Sequence, residues 1–140
     1  MAFYKISSSD LLFQHAQHIR QTVFVEEQGV SADLEHDIFD HSAQHYLLQD
    51  KDIFMATARS RNTAYGIKLE RFAVLSKKRG KGYGWQLLKH ILIDLQESQK
   101  AIYLHAQIPV VDFYAKYGFV ATGPIIIEAN IEHYKMIFKP

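Results

Sequence analysis

Apolar residues recur along this chain with two periods, and the switches between them divide it into elements. Phe3 to Ile6 reads as a first strand, and Ser7-Ser8-Ser9-Asp10 then supplies N-cap residues and a first-turn carboxylate for a helix that follows directly. In that helix Leu12, Ala16, Ile19 and Val23 step by four, three and four, while Gln14, Gln17, His18, Arg20 and Gln21 fall off the stripe. The stripe is expected to pack on a sheet. Gln28-Gly29-Val30 ends the pattern, and the acid-rich stretch from Ser31 to Ser42 reads as a loop or short helical turn. Variability on the substrate side is expected there.

Three strands come next, Gln44 to Gln49, Asp52 to Arg61 and Ala64 to Leu75, with Asp50-Lys51 and Asn62-Thr63 as turns. Such short connections predict an antiparallel meander. Within the third strand Ile67 and Leu69 share a phase, but Phe72 and Val74 take the other, and this slip from even to odd spacing predicts a β-bulge. A helix follows, carrying Leu87, Leu88, Ile91, Leu92 and Leu95. Then come a buried strand from Ala101 to Gln107 and a short helix from Val110 to Tyr117 closed by Gly118. Strand, helix and strand imply a parallel crossover. Phe119 to Glu128 and Ile131 to Phe138 close the chain as a hairpin around Ala129-Asn130. The fold class is α/β with a mixed (α+β) sheet.

The chain has 140 residues, 48% hydrophobic and 22% charged, which suits a single domain over 1–140. A net charge of +1 supplies no global field for nucleic acid. Without cysteine there is no disulfide framework, thiolate catalysis or thiolate metal site. Met-Ala-Phe-Tyr-Lys lacks an apolar signal region, and no apolar stretch approaches the roughly 20 residues of a membrane span, so the expected location is the cytoplasm.

Local charge changes this picture. Lys77-Lys78-Arg79-Gly80-Lys81-Gly82-Tyr83-Gly84 lies where a strand hands over to a helix. Glycines there permit a tight turn and bring free N–H groups to an anion that the helix dipole favours, and Arg79 and Lys81 add donors. A P-loop would need Ser or Thr after Gly80-Lys81, where Gly82 stands, and the spacing of Gly80, Gly82 and Gly84 does not fit the dinucleotide fingerprint. The segment does read R-x-x-G-x-G, as Arg79, Gly82 and Gly84, and resembles the acyl-CoA pyrophosphate loop of the GNAT N-acetyltransferases. Phe113-Tyr114-x-x-x-Gly118-Phe119 is similar to a second motif of that family, and the element order resembles its fold, a central mixed sheet with helices on both faces. Val23-Phe24-Val25-Glu26-Glu27-Gln28, Leu34-Glu35-x-Asp37-x-x-Asp40, His45 and Ile131-Glu132-His133 resemble the small ElaA-like branch. Glu26 and Glu132 depart from that branch's pattern.

The resemblance implies acetyl-CoA as co-substrate and direct attack of a neutral amine, from a small molecule or a peptide, on its thioester. It places backbone groups of Phe72, Ala73 and Val74 on the pantetheine arm, where one donor stabilises the oxyanion at about 2.7–4 kcal/mol. It places the pyrophosphate on Arg79, Gly80, Lys81, Gly82, Tyr83 and Gly84, and a pantetheine amide on Gln107. Tyr114 is the acid that protonates the sulfur. Glu26, Glu27 and His133 are candidates for the base, with Glu27 first. Asp37, Asp40, His41 and His45 carry ligand atoms, but the family's chemistry needs no metal and none is expected. A catalytically weak acyl-CoA-binding sensor or interaction module is the alternative reading, with a nucleotide-binding regulator more distant. Edge strands near the C-terminus could pair two copies as a homodimer.

Overall fold

The computed structural model describes residues 1–140. Seven strands form one mixed sheet in the order β1-β2-β3-β4-β5-β7-β6, with four α-helices. The residues fall into two compact groups, 1–61 with 71–99, and 62–70 with 100–140.

In the first group β1 (Ala2–Ile6) lies antiparallel to β2 (Gln44–Asp50), from Ala2↔Gln49 to Ile6↔His45. β2 turns tightly through Lys51, at φ 55°, into β3 (Ile53–Thr63). The expected capping at Ser7 to Asp10 takes another form. The Asp10 carboxylate accepts from the Leu12 N–H at 2.8 Å, a local turn, and α1 starts later, at Phe13–Arg20, with no side-chain cap. Ala16, Ile19 and Val23 of the predicted stripe are buried and Leu12 half-buried, against a core that includes Ile6, Leu47 and Ala73. Past Arg20 the helix widens into a π-turn over Gln21–Glu27, with Gln28 N–H bonded five residues back to Val23 at 3.1 Å. Ser31 to Ser42 holds α2 (Ala32–Glu35) and a 3₁₀ turn at Ile38–His41. The helix α3 (Tyr83–Leu95) buries Leu87, Leu88 and Ile91. It meets the face opposite α1, where His90 stacks on Phe3 and Asp94 accepts from the Tyr46 hydroxyl at 3.3 Å.

The second group begins at Asn62 and takes in the first half of β4 (Gly66–Val74), which runs parallel to β5 (Ile102–Gln107) from Ile67↔Ile102 to Leu69↔Leu104. Gly66 has φ 128°, and a Cβ there would stand 2.3 Å from the Ala101 carbonyl oxygen, so only glycine fits. α4 (Val111–Lys116) ends at Gly118, φ 99°, as the sequence predicts. β6 (Phe119–Glu128) and β7 (Ile131–Phe138) close on Ala129 and Asn130, both at positive φ. β7 pairs antiparallel with β5, Gln107 standing opposite His133.

Candidate active site

The basic loop is built by backbone conformation. After β4 the chain makes a 3₁₀ turn at Ser76–Lys78 and extends through Arg79, then passes Gly80 at φ 76° and Gly82 at φ 84°. Left-handed angles of this kind cost a side-chain-bearing residue about 1–2 kcal/mol. A Cβ on either glycine would meet nothing within 4 Å, so conformation rather than crowding demands glycine, and the space beside the backbone is open. Gly82 is the N-cap of α3, and no side chain caps it. The first turn of this 13-residue helix therefore has no side-chain cap, and its positive end lies at this glycine turn.

Arg79 is committed in two directions. Its Nε donates to the Val74 carbonyl at 2.9 Å, and its two Nη groups donate to the Glu27 carboxylate at 2.7 and 3.0 Å. The hydrogen bond from Arg79 holds the Glu27 carboxyl below its ordinary range. A carboxylate so stabilised is a weak proton acceptor. Glu26, its neighbour, is exposed. In β4 the irregularity falls at Arg71, φ 55°, one residue before Phe72. Ala73 nevertheless stays in the buried phase of Ile67 and Leu69, while Phe72 and Val74 are half-buried.

Tyr114, Gln107 and His133 belong to the other group. Tyr114 is buried on α4, its ring edge-on to Phe113 and Phe119. Burial alone drives its hydroxyl well above the usual phenol range, so the proton stays on at neutral pH. Gln107 ends β5, half-buried. Buried His133 pairs through Nδ1 with the Ile131 carbonyl at 2.7 Å, an interaction in which Nδ1 carries the hydrogen.

Comparison with known proteins shows the family. The acetyltransferase (GNAT) domain model matches residues 10–140. The chain belongs to the GNAT acetyltransferase family. The Bacillus subtilis uncharacterized N-acetyltransferase YjcF is 30% identical over 135 residues, covering 94% of this chain and 96% of that protein. The crystal structure of Escherichia coli ElaA is similar at a TM-score of 0.89 and 25% identity, over 99% of this chain and all of that one. A GNAT family acetyltransferase from Elizabethkingia anophelis, solved with acetyl-CoA bound, shares the fold at a TM-score of 0.65 and 17% identity, over 97% and 94% of the two chains. The protein is thus an acyltransferase enzyme of the kind that carries out acyl-CoA-dependent N-acetyl transfer. No helix is long and apolar enough to cross a membrane.

Two side-chain groups in this GNAT chain escape the sequence reading. The first concerns the acid-rich stretch, where Asp33 is exposed while Glu35, Asp37 and Asp40 are drawn into ion pairs. Glu35 and Asp40 are buried, and with Asp37 they bind three arginines. Arg20 reaches Glu35 at 2.9 Å and Asp40 at 2.8 Å, and Arg59 reaches Asp37 at 2.7 Å and Asp40 at 2.9 Å. Arg71 reaches Glu35 at 2.9 Å and Asp37 at 3.1 Å. Asp40 Oδ1 thereby accepts from both Arg20 and Arg59, and its backbone carbonyl pairs with His45 Nε2 at 2.9 Å. Arg20, read as off the stripe, is 1% exposed. The available signal was its four-residue spacing from Ala16 and to Phe24, both buried.

The second group lies on β4 to β7 of the second set of residues. His105 Nδ1 pairs with the Glu128 carboxylate. Lys68 Nζ stands 3.1 Å from Glu70 and 3.9 Å from Glu128. Strand alternation was the signal here: in a buried run, Tyr103, His105 and Gln107 must share one face of β5.

Proposed function

We propose that this enzyme moves the acetyl group of acetyl-CoA to a primary amine of a small molecule or peptide by direct attack, and that residues 1–140 work as one catalytic domain. The observation that carries the reading is the uncapped start of α3 behind two left-handed glycines, with open space beside the turn and Arg79 and Lys81 flanking it. That arrangement fits a pyrophosphate: amides and a helix dipole to receive charge, and no Cβ in the way.

Acetyl-CoA supplies the activated thioester. Gly80, Lys81, Gly82, Tyr83 and Gly84 hold the pyrophosphate through backbone N–H groups, and Arg79 turns its Nη donors from Glu27 to phosphate while Nε keeps its grip on Val74. Backbone groups of Phe72, Ala73 and Val74 and the amide of Gln107 align the pantetheine arm. Tyr114 keeps its proton at neutral pH and delivers it to the leaving sulfur; a buried thiolate is raised in pKa as the phenol is, which keeps that transfer feasible.

Calorimetry with acetyl-CoA, CoA and ATP, beside a thiol assay for CoA released in the presence of primary amines, tests this reading. CoA should compete with acetyl-CoA and ATP should not, and amines should drive CoA release. Tight acetyl-CoA binding with no release across a broad amine panel would favour a sensor or interaction module instead.

A further inference from the structure

The reaction needs a base, and Glu27, tied to Arg79, is poorly prepared for it. We propose that His105, oriented by Glu128, takes the proton from the acceptor's ammonium group, and that the acceptor is a primary alkylamine bound on the sheet face these residues share. This rests on the amine-transfer reading above.

The geometry comes from strand register. Residues directly opposite one another lie on the same face, and Lys68 pairs with Tyr103, His105 with Lys135, and Gln107 with His133. His105 is therefore two positions, about 7 Å, from Gln107 on the same face of β5. Its Nδ1 pairs with a carboxylate, which only accepts, so Nδ1 carries the hydrogen and the ring in its neutral form presents a lone pair at Nε2. That is the arrangement of a base held by an orienting carboxylate, which also steadies the imidazolium once it forms. The side chains are 19% and 39% exposed, so a ligand can reach them without full solvation. The groups facing His105 are Lys68 and Glu70 on β4, Tyr103 and Gln107 on β5, His133 and Lys135 on β7, and Glu128 on β6. Lys68 opposes protonation of the ring, but it is shared between Glu70 and Glu128, and Lys135 stands over the rings of Tyr65 and Tyr103 at 5.5 and 5.2 Å. Glu70 and Glu128 leave the face able to receive an alkylammonium. His133 differs because its Nδ1 partner is a neutral carbonyl, which gives an imidazolium far less support than a carboxylate.

The proton balance closes. The ammonium gives one proton to His105 Nε2, and the ring passes it to solvent. The freed amine forms the new C–N bond as the C–S bond breaks. Its second proton replaces the one that Tyr114 gives to sulfur, so amide, free CoA and one proton leave the site.

The test uses the full chain with acetyl-CoA and three alkylamine probes, 2-phenylethylamine, cadaverine and Nα-acetyllysine, beside hydroxylamine, which is already neutral at pH 7. His105→Gln is expected to cut alkylamine-dependent CoA release by about 10²- to 10⁴-fold and hydroxylamine-dependent release by less than about threefold. Glu128→Gln keeps an acceptor but loses the charge that steadies the imidazolium, so alkylamine-dependent release should fall by about tenfold or more while hydroxylamine-dependent release changes by less than about threefold. Equal loss with both kinds of nucleophile in either variant, or alkylamine turnover unchanged in Glu128→Gln, overturns the assignment. No alkylamine turnover by a wild type that binds acetyl-CoA overturns the amine-transfer reading along with it. If His105→Gln no longer binds acetyl-CoA, the Glu128→Gln rates decide alone.

Discussion

Replacing Arg20 with Met tests how the acid-rich segment is held. The substitution keeps an unbranched stem but removes the donors to Glu35 at 2.9 Å and Asp40 at 2.8 Å, two carboxylates that are 3% and 8% exposed. Breaking a buried ion pair from one side costs about 3–5 kcal/mol, because the other charge stays behind. Here each carboxylate keeps one cation, Glu35 with Arg71 at 2.9 Å and Asp40 with Arg59 at 2.9 Å, so the lower end applies. About 3 kcal/mol lowers Tm by roughly 10 °C for a domain of this length. The pH dependence has a definite sign. Burial pushes the Asp40 carboxyl up, but the hydrogen bonds and charges of Arg20 and Arg59 outweigh it and hold the carboxyl below its usual range. In the wild type this stabilisation is present above the unfolded pKa and is lost as pH falls through the lower folded one. Without Arg20 the folded pKa rises, so the variant's deficit should be largest near pH 7 and shrink below about pH 4. Urea unfolding of both proteins at the two pH values measures it, with Arg20→Met/Glu35→Gln expected to regain more than about 1 kcal/mol. A cost under about 1 kcal/mol at pH 7, or a deficit that does not shrink in acid, would refute the argument.

In Gly82→Ala a Cβ at φ 84° costs about 1–2 kcal/mol, so the free loop relaxes away from it and acetyl-CoA binding, which must restore it, should weaken roughly tenfold by calorimetry with little change in the urea midpoint. Tyr114→Phe leaves the ring packing on Phe113 and Phe119 in place and should lower kcat by at least about 10²-fold while acetyl-CoA affinity holds. An unchanged kcat would remove the phenol from the proton path.

What the sequence made legible was local. The stripe of Ala16, Ile19 and Val23, the glycine turn into α3 and the Gly118 stop all follow from periods and φ preferences inside one element, and each appears in the structure. What stayed hidden needed partners far along the chain. Arg20 meets acids 15 and 20 residues away, and His105 meets Glu128 across 23. No window of helical or strand periodicity spans such separations. The π-turn over Gln21–Glu27 was hidden for another reason, since Thr22, Val23, Phe24 and Val25 fit a helix or a strand alike and only the bonding pattern distinguishes it. By widening the helix it alters the direction in which Glu27 points, which heptad-style counting from Leu12 could not supply.

That direction matters for the cations of the basic loop. Arg20, Arg59 and Arg71 are matched by Glu35, Asp37 and Asp40, whereas Lys77, Lys78, Arg79 and Lys81 have Glu27 as the carboxylate paired with Arg79. A chain of net charge +1 thus concentrates positive charge at one helix start, where screening over about 8 Å confines its effect to a bound anion. On the proposed reading, a phosphate displaces Glu27 from the Arg79 Nη groups. In Glu27→Gln the charge competing for the guanidinium is gone, while the Nε bond to Val74 still holds the side chain in place. One unit charge at about 6 Å in water is worth about 0.7 kcal/mol, so acetyl-CoA should bind roughly threefold tighter at low salt, with the gain fading at about 0.5 M. Turnover should change by less than about threefold, because on this argument Glu27 accepts no proton in the reaction. A fall in kcat of about 10²-fold with unchanged affinity would restore Glu27 as the base and count against His105.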